Sequence, residues 1–169
     1  MKKLWLLVFL IGCSESLITE INPEYQLELN SRLDKVDGYY QLQLTDANHQ
    51  TIHRISGTLL EDNREPYPPK KVTWESSHYW AIEEGMMFVI HRVIDYRGQW
   101  VNVDTLTIDN YVGQTVPTVN KVSYTGTDGE INTMIAPIWD MLGDTMTVVC
   151  QFYNSGNPIR EQLDIILVD

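Results

Sequence analysis

The chain has 169 residues, 12 basic against 23 acidic side chains, a formal net charge of −11 and an apolar share of 43%. That excess of acid argues against nucleic acid and against docking on anionic headgroups, because both need a cationic face. The apolar share suits a packed globule and argues against wholesale disorder.

The chain opens Met1-Lys2-Lys3, and Leu4 to Ile11 is an uncharged apolar run. A helix of this run, rising about 1.5 Å per residue, falls far short of a bilayer core of about 30 Å. It reads as the apolar core of an export signal and not as a spanning helix. The run ends Leu10-Ile11-Gly12-Cys13. This resembles the lipobox of bacterial lipoproteins: an aliphatic residue, a small residue and then the cysteine. The resemblance implies cleavage before Cys13, a diacylglyceryl thioether on its sulfur and an acylated amino group. It implies attachment to a membrane through the lipid on Cys13, and Ser14 beside it implies the outer membrane. Each buried acyl CH₂ contributes about 0.8 kcal/mol, and two or more chains hold stably. The expected organisation is a signal over 1–12, a lipidated tether over 13–24 and a single all-β domain over 25–169.

From Lys35 onward a period of two dominates, the mark of strands. Tyr25 to Asn30 alternates, and Tyr40 to Thr45 nearly repeats it. The two are expected to pair across Asp37-Gly38. Thr51 to Leu60 follows, then a polar loop in which Pro68-Pro69 forbids regular pairing. Lys71 to Trp74 and His78 to Ile82 resume the alternation. Met86 to Asp95 is apolar on both faces, as for a central strand covered on both sides. Tyr96-Arg97-Gly98 turns it into Trp100 to Asp109. Pro117 to Thr125 and Glu130 to Ile138 flank Asp128-Gly129, a second hairpin signal. A turn or two of helix is expected around Trp139 to Leu142.

The last expected pair is Thr145 to Tyr153 with Ile159 to Val168, joined by Asn154-Ser155-Gly156-Asn157. Met146, Val148, Cys150 and Phe152 share one face of it. With Cys13 lipidated, Cys150 stands alone and no internal disulfide forms. Its surroundings lack the positive charge or helix N-terminus that activates a thiol, so it reads as a small buried hydrophobe.

About ten evenly spaced strands with turn residues between them give an all-β fold, an antiparallel β-sandwich or a barrel. Val72-Thr73-Trp74-Glu75-Ser76-Ser77 resembles the strand that carries a core tryptophan in bacterial immunoglobulin-like modules. Met146 to Phe152 resembles a late strand of the same sandwich. Val36-Asp37-Gly38-Tyr39-Tyr40 resembles the opening of a lipocalin-like β-barrel, which is the alternative. The immunoglobulin-like sandwich is preferred.

Signatures of enzymes are missing: there is no Gly-x-Ser-x-Gly elbow, no His-Glu-x-x-His, no phosphate loop and no dinucleotide fingerprint. None of His49, His53, His78 and His91 has a second histidine or a cysteine at ligand spacing, so no metal and no cofactor are expected. Thr127-Asp128-Gly129-Glu130 lacks the alternating ligands of a calcium loop. Beyond the leader, Trp74, Trp80, Trp100 and Trp139 stand among several tyrosines. Stacked aromatics hold sugar rings and are enriched at protein interfaces. Trp74 and Trp100, set in alternating strands, read as core. Tyr79, Trp80, Tyr96 and Trp139, beside turns, are the candidate ligand-binding residues. The expected function is therefore non-catalytic: binding a protein or glycan at the cell envelope. A lipocalin-like carrier of an apolar ligand and an envelope hydrolase are the alternatives.

Overall fold

The computed structural model describes residues 23–108, 119 and 122–169. The signal, most of the tether with Cys13, and residues 117, 118, 120 and 121 of the expected Pro117–Thr125 strand lie outside the described residues.

Sharp two-residue turns set three of the hairpins. Asp37-Gly38, Glu84-Gly85 and Ser155-Gly156 all have positive φ at both positions. That is the type I′ geometry whose twist matches paired strands. The first joins β2 (Asp34–Val36) to β3 (Tyr39–Gln43), the second β6 (His78–Glu83) to β7 (Met86–Ile94), and the third β11 (Thr145–Asn154) to β12 (Asn157–Val168). The remaining strands are β1 (Tyr25–Ser31), β4 (His53–Glu61), β5 (Lys71–Ser76), β8 (Trp100–Thr107), β9 (Val122–Tyr124) and β10 (Glu130–Ile135).

Three sheets result, in the orders β1-β4-β10, β2-β3-β12-β11-β5-β9 and β6-β7-β8. The first two face each other. Leu27, Ile55, Leu59 and Ile131 of one meet Trp74, Val148, Cys150 and Ile165 of the other in a single apolar cluster. With β1, β4, β5, β10, β11 and β12 as strands A, B, C, E, F and G, the sheets read A-B-E and C-F-G. That is the strand order of an immunoglobulin-like sandwich. Trp74 lies on the C strand and is buried, where that fold places its core tryptophan. Among the described residues the sheets do not close into a barrel.

Several expected pairings differ. β1 pairs with β4, not with β3. Asp37-Gly38 instead closes the short β2–β3 hairpin, and β3 runs parallel to β12. β9 and β10 are no hairpin: β9 joins β5 in one sheet and β10 joins β4 in the other. The chain crosses the sandwich through a 3-10 turn, Thr127–Gly129. There Gly129 sits at φ +74, and a Cβ would collide with the Leu59 carbonyl oxygen. β7 is central by hydrogen bonding, but only its Val89 is buried. The strand covered on both faces is β11, where Val148, Val149 and Cys150 are all closed off. Helix is confined to short 3-10 turns among the described residues, one of them Trp139–Met141.

Candidate functional site

The third sheet, β6-β7-β8, is inserted between the C strand and β9, and it carries three of the four candidate aromatics or holds them in its loop. Alternation divides them. Trp80 points inward, is 5% exposed and donates its indole N–H to the Ala136 carbonyl at 2.7 Å. Tyr79 points the other way. The Arg92 guanidinium lies 4.9 Å from its ring centroid and 4.5 Å from that of Trp100. Arg92 Nε also donates to the Ser76 carbonyl at 2.7 Å, and Trp100 Nε1 donates to Glu75 Oε2 at 2.6 Å. The guanidinium thus gathers two rings of the third sheet, and the two hydrogen bonds fasten that sheet to β5.

Tyr96, in the β7–β8 loop, is 88% exposed, with the Arg97 guanidinium 5.0 Å from its ring. Trp139 is 38% exposed and lies apart from these, its ring 5.6 Å from that of His49. It borders a cleft of about 190 Å³ with Gln50, Ile108 and Asp140. The four candidates therefore do not form one patch: Tyr79 and Tyr96 belong to the third sheet, Trp139 to another rim, and Trp80 to the core.

The third sheet also exposes aliphatic side chains. Val93, Ile94, Val101 and Val103 are exposed on β7 and β8, as are Ile82 and Met86 at the β6–β7 turn. Val93 and Val101 are direct cross-strand partners. Among the described residues nothing pairs with the outer edge of β8, whose side chains are mostly exposed on both faces.

Beneath this sheet lies a cluster that local sequence spacing does not show. His78 and His91 are directly opposite on β6 and β7, and their rings stack at 4.1 Å between centroids, 20° from parallel. Asp144, in the loop before β11, completes it, and one ligand-type atom from each residue falls within 4.8 Å of the others. His78 is 1% exposed. Its Nδ1 lies 2.9 Å from Ser77 Oγ, which also accepts the Thr147 N–H at 2.9 Å. Its Nε2 lies 3.4 Å from Asp144 Oδ2, an ion-pair distance, yet is out of line and makes no hydrogen bond. An unsatisfied buried polar atom of this kind costs about 1–3 kcal/mol. Burial first, then His91, pushes the His78 pKa down to about 4 against the pull of Asp144, so the ring is neutral at pH 7.

The pairing had a signal. With a two-residue turn at Glu84-Gly85, residues equidistant from it face each other, and His78 and His91 are equidistant. Asp144 had none, because its place depends on tertiary packing.

The space between His78, Trp80, Val89, Met141 and Met146 is filled, with no room for a water. An open polar cleft of about 380 Å³ lies elsewhere, lined by Arg32, His53, Arg54 and Glu130. No family model matches the sequence. No curated protein matches it either. Among solved structures, the chain is similar to a DUF4466 family protein from Parabacteroides merdae ATCC 43184, at 12% identity and a TM-score of 0.39. The match covers 82% of this chain and 42% of the other.

Proposed function

We propose that this chain is a lipoprotein of the bacterial outer membrane, anchored through Cys13, whose β-sandwich binds a protein or glycan and is not an enzyme. The observation that carries the reading is the third sheet. It sets exposed valines and isoleucines beside an edge strand, β8, left unpaired among the described residues. Unpaired strand edges bind extended segments by main-chain hydrogen bonds, with side chains giving selectivity. A protein is favoured over a glycan because sugars need open ring faces. On the third sheet the most exposed ring is that of Tyr96, and the Arg97 guanidinium lies over it. Among the described residues the space beneath Trp80 is filled, which favours a surface binder over an apolar carrier.

The test is capture from the cells that make the protein, comparing the native chain with a Val101→Lys, Val103→Lys variant. The native chain should retain a defined envelope protein, and the variant should lose it with an unchanged melt. Equal capture by both would remove the edge as the binding surface. Retention of envelope polysaccharide, lost on Tyr96→Ala, would move the assignment to a glycan. Fractionation of Cys13→Ala tests the anchor: it should leave the membrane fraction, and unchanged behaviour would overturn that part.

A further inference from the structure

We propose that His78, His91 and Asp144 bind one divalent transition-metal cation of the zinc type, through two imidazole nitrogens and one carboxylate oxygen. The donor set is the first reason. Two imidazoles with a carboxylate suit zinc and its neighbours, whereas calcium and magnesium take oxygen ligands. Distance is the second. Bonds of about 2.0–2.1 Å in a tetrahedron put neighbouring donor atoms about 3.3 Å apart. His78 Nε2 and Asp144 Oδ2 already stand 3.4 Å apart.

The third reason is the unpartnered nitrogen. Ser77 Oγ accepts the Thr147 N–H and is free to accept the His78 Nδ1–H as well. In the tautomer protonated on Nδ1, the Nε2 lone pair faces a carboxylate oxygen with no proton between them, and a cation resolves that opposition. A ligating histidine that donates its other N–H to a fixed acceptor is the usual supporting arrangement.

The frame is fixed by backbone. His78 and His91 are locked by the β6–β7 ladder, and Asp144 by Gly143 N–H to Leu167 O at 2.9 Å and Leu167 N–H to Asp144 O at 3.0 Å. The stacked rings must open for both lone pairs to reach one ion. His91 is half-buried, and its broad terminal torsion permits that turn. The Asp144 side chain is 40% exposed, so the remaining coordination position faces water. A bound cation cross-links the third sheet to the loop before β11 and so sets the angle of the β8 edge. This goes beyond the binding role, and neither reading depends on the other.

The test loads the purified full chain with Zn²⁺, removes free ion by gel filtration and measures retained zinc. Co²⁺ loading reports geometry by its visible absorption. The native chain should keep one equivalent, show the intense bands of a four-coordinate site and melt higher with Zn²⁺ than with EDTA. His91→Ala and Asp144→Asn should each weaken retention by at least about tenfold and abolish the zinc-dependent rise in Tm. Asp144→Asn keeps the shape of the side chain, so its melt in EDTA should match the native one. No retained equivalent in the native chain, or equal retention by all three proteins, overturns the proposal. Equal retention would place the ion on surface groups.

Discussion

Trp74 and Cys150 are direct partners across the β5–β11 ladder, and both side chains are closed off from solvent at the centre of the sandwich. The indole is also tied at its rim, Nε1 donating to Ser123 Oγ at 2.7 Å on the neighbouring β9. Two structural roles meet there: a small sulfur that fits against a large ring, and a ring that links three strands of one sheet.

Cys150 should therefore be inert in the folded protein. Burial pushes its thiol up to about 12 from the ordinary 9.0. A raised pKa favours the neutral folded form below pH 9, and that contribution is lost as pH climbs from 9 toward 12. A thiol-reactive dye at pH 8 should label Cys150 only in denaturant, and Tm should fall through that alkaline window. Rapid labelling of the native chain would contradict the burial.

Trp80 should behave as core. Trp80→Ala should destabilise by about 3–5 kcal/mol, read by urea unfolding. Trp80→Phe should cost less, because it loses chiefly the hydrogen bond to Ala136. Tyr96→Ala, in contrast, should stay within about 0.5 kcal/mol of native, as exposed sites do. A stable Trp80→Ala protein would return that ring to the candidates for ligand contact.

Arg92 should resist conservative replacement. Lysine lacks the planar face that stacks between Tyr79 and Trp100 and the Nε–H that reaches Ser76. Arg92→Lys should cost about 1–2 kcal/mol. Amide exchange should accelerate across β7 and β8 before it does across β11 and β12. Uniform acceleration would show that the third sheet does not open separately.

Gly129→Ala should be much worse than Gly98→Ala, although both glycines have positive φ. Gly98 has open space where a Cβ would stand, so only the backbone preference of about 1 kcal/mol is lost. At Gly129 the Cβ meets the Leu59 carbonyl, and the crossing between sheets must shift. Similar urea midpoints for the two would mean that this crossing is loose.

Alternation and turn residues made much of the fold legible. Met146, Val148, Cys150 and Phe152 are buried on one face of β11, and Asn154 to Asn157 turns it into β12. A period of two reveals which way a side chain points but not which strand lies beside it. That is why Tyr25 to Asn30 matches Tyr40 to Thr45 in pattern, whereas β1 lies on β4 in the opposite sheet. Asp128-Gly129 carried a turn signal equally compatible with a hairpin and with a crossing. The apolar Met86 to Ile94 stretch misleads for another reason: Met86, Val93 and Ile94 are exposed on the third sheet, and of the whole strand only Val89 is buried. Trp80 and Tyr79 were indistinguishable as neighbours in sequence. Only the inward register of His78 and Trp80 separates them.

The parallel pairing of Tyr40 with Ile165 also has a consequence in time. One edge of β3 finds β2 at once, but its other edge has no partner until β12 exists. Closing a loop of that size loses chain entropy before any contact repays it, and all-β topologies of this kind fold in about milliseconds to seconds. A nascent chain that has not yet reached Val168 thus presents the unfinished edges of β3 and β11 together. In that interval it is prone to pair with the wrong strand, its own or another chain's.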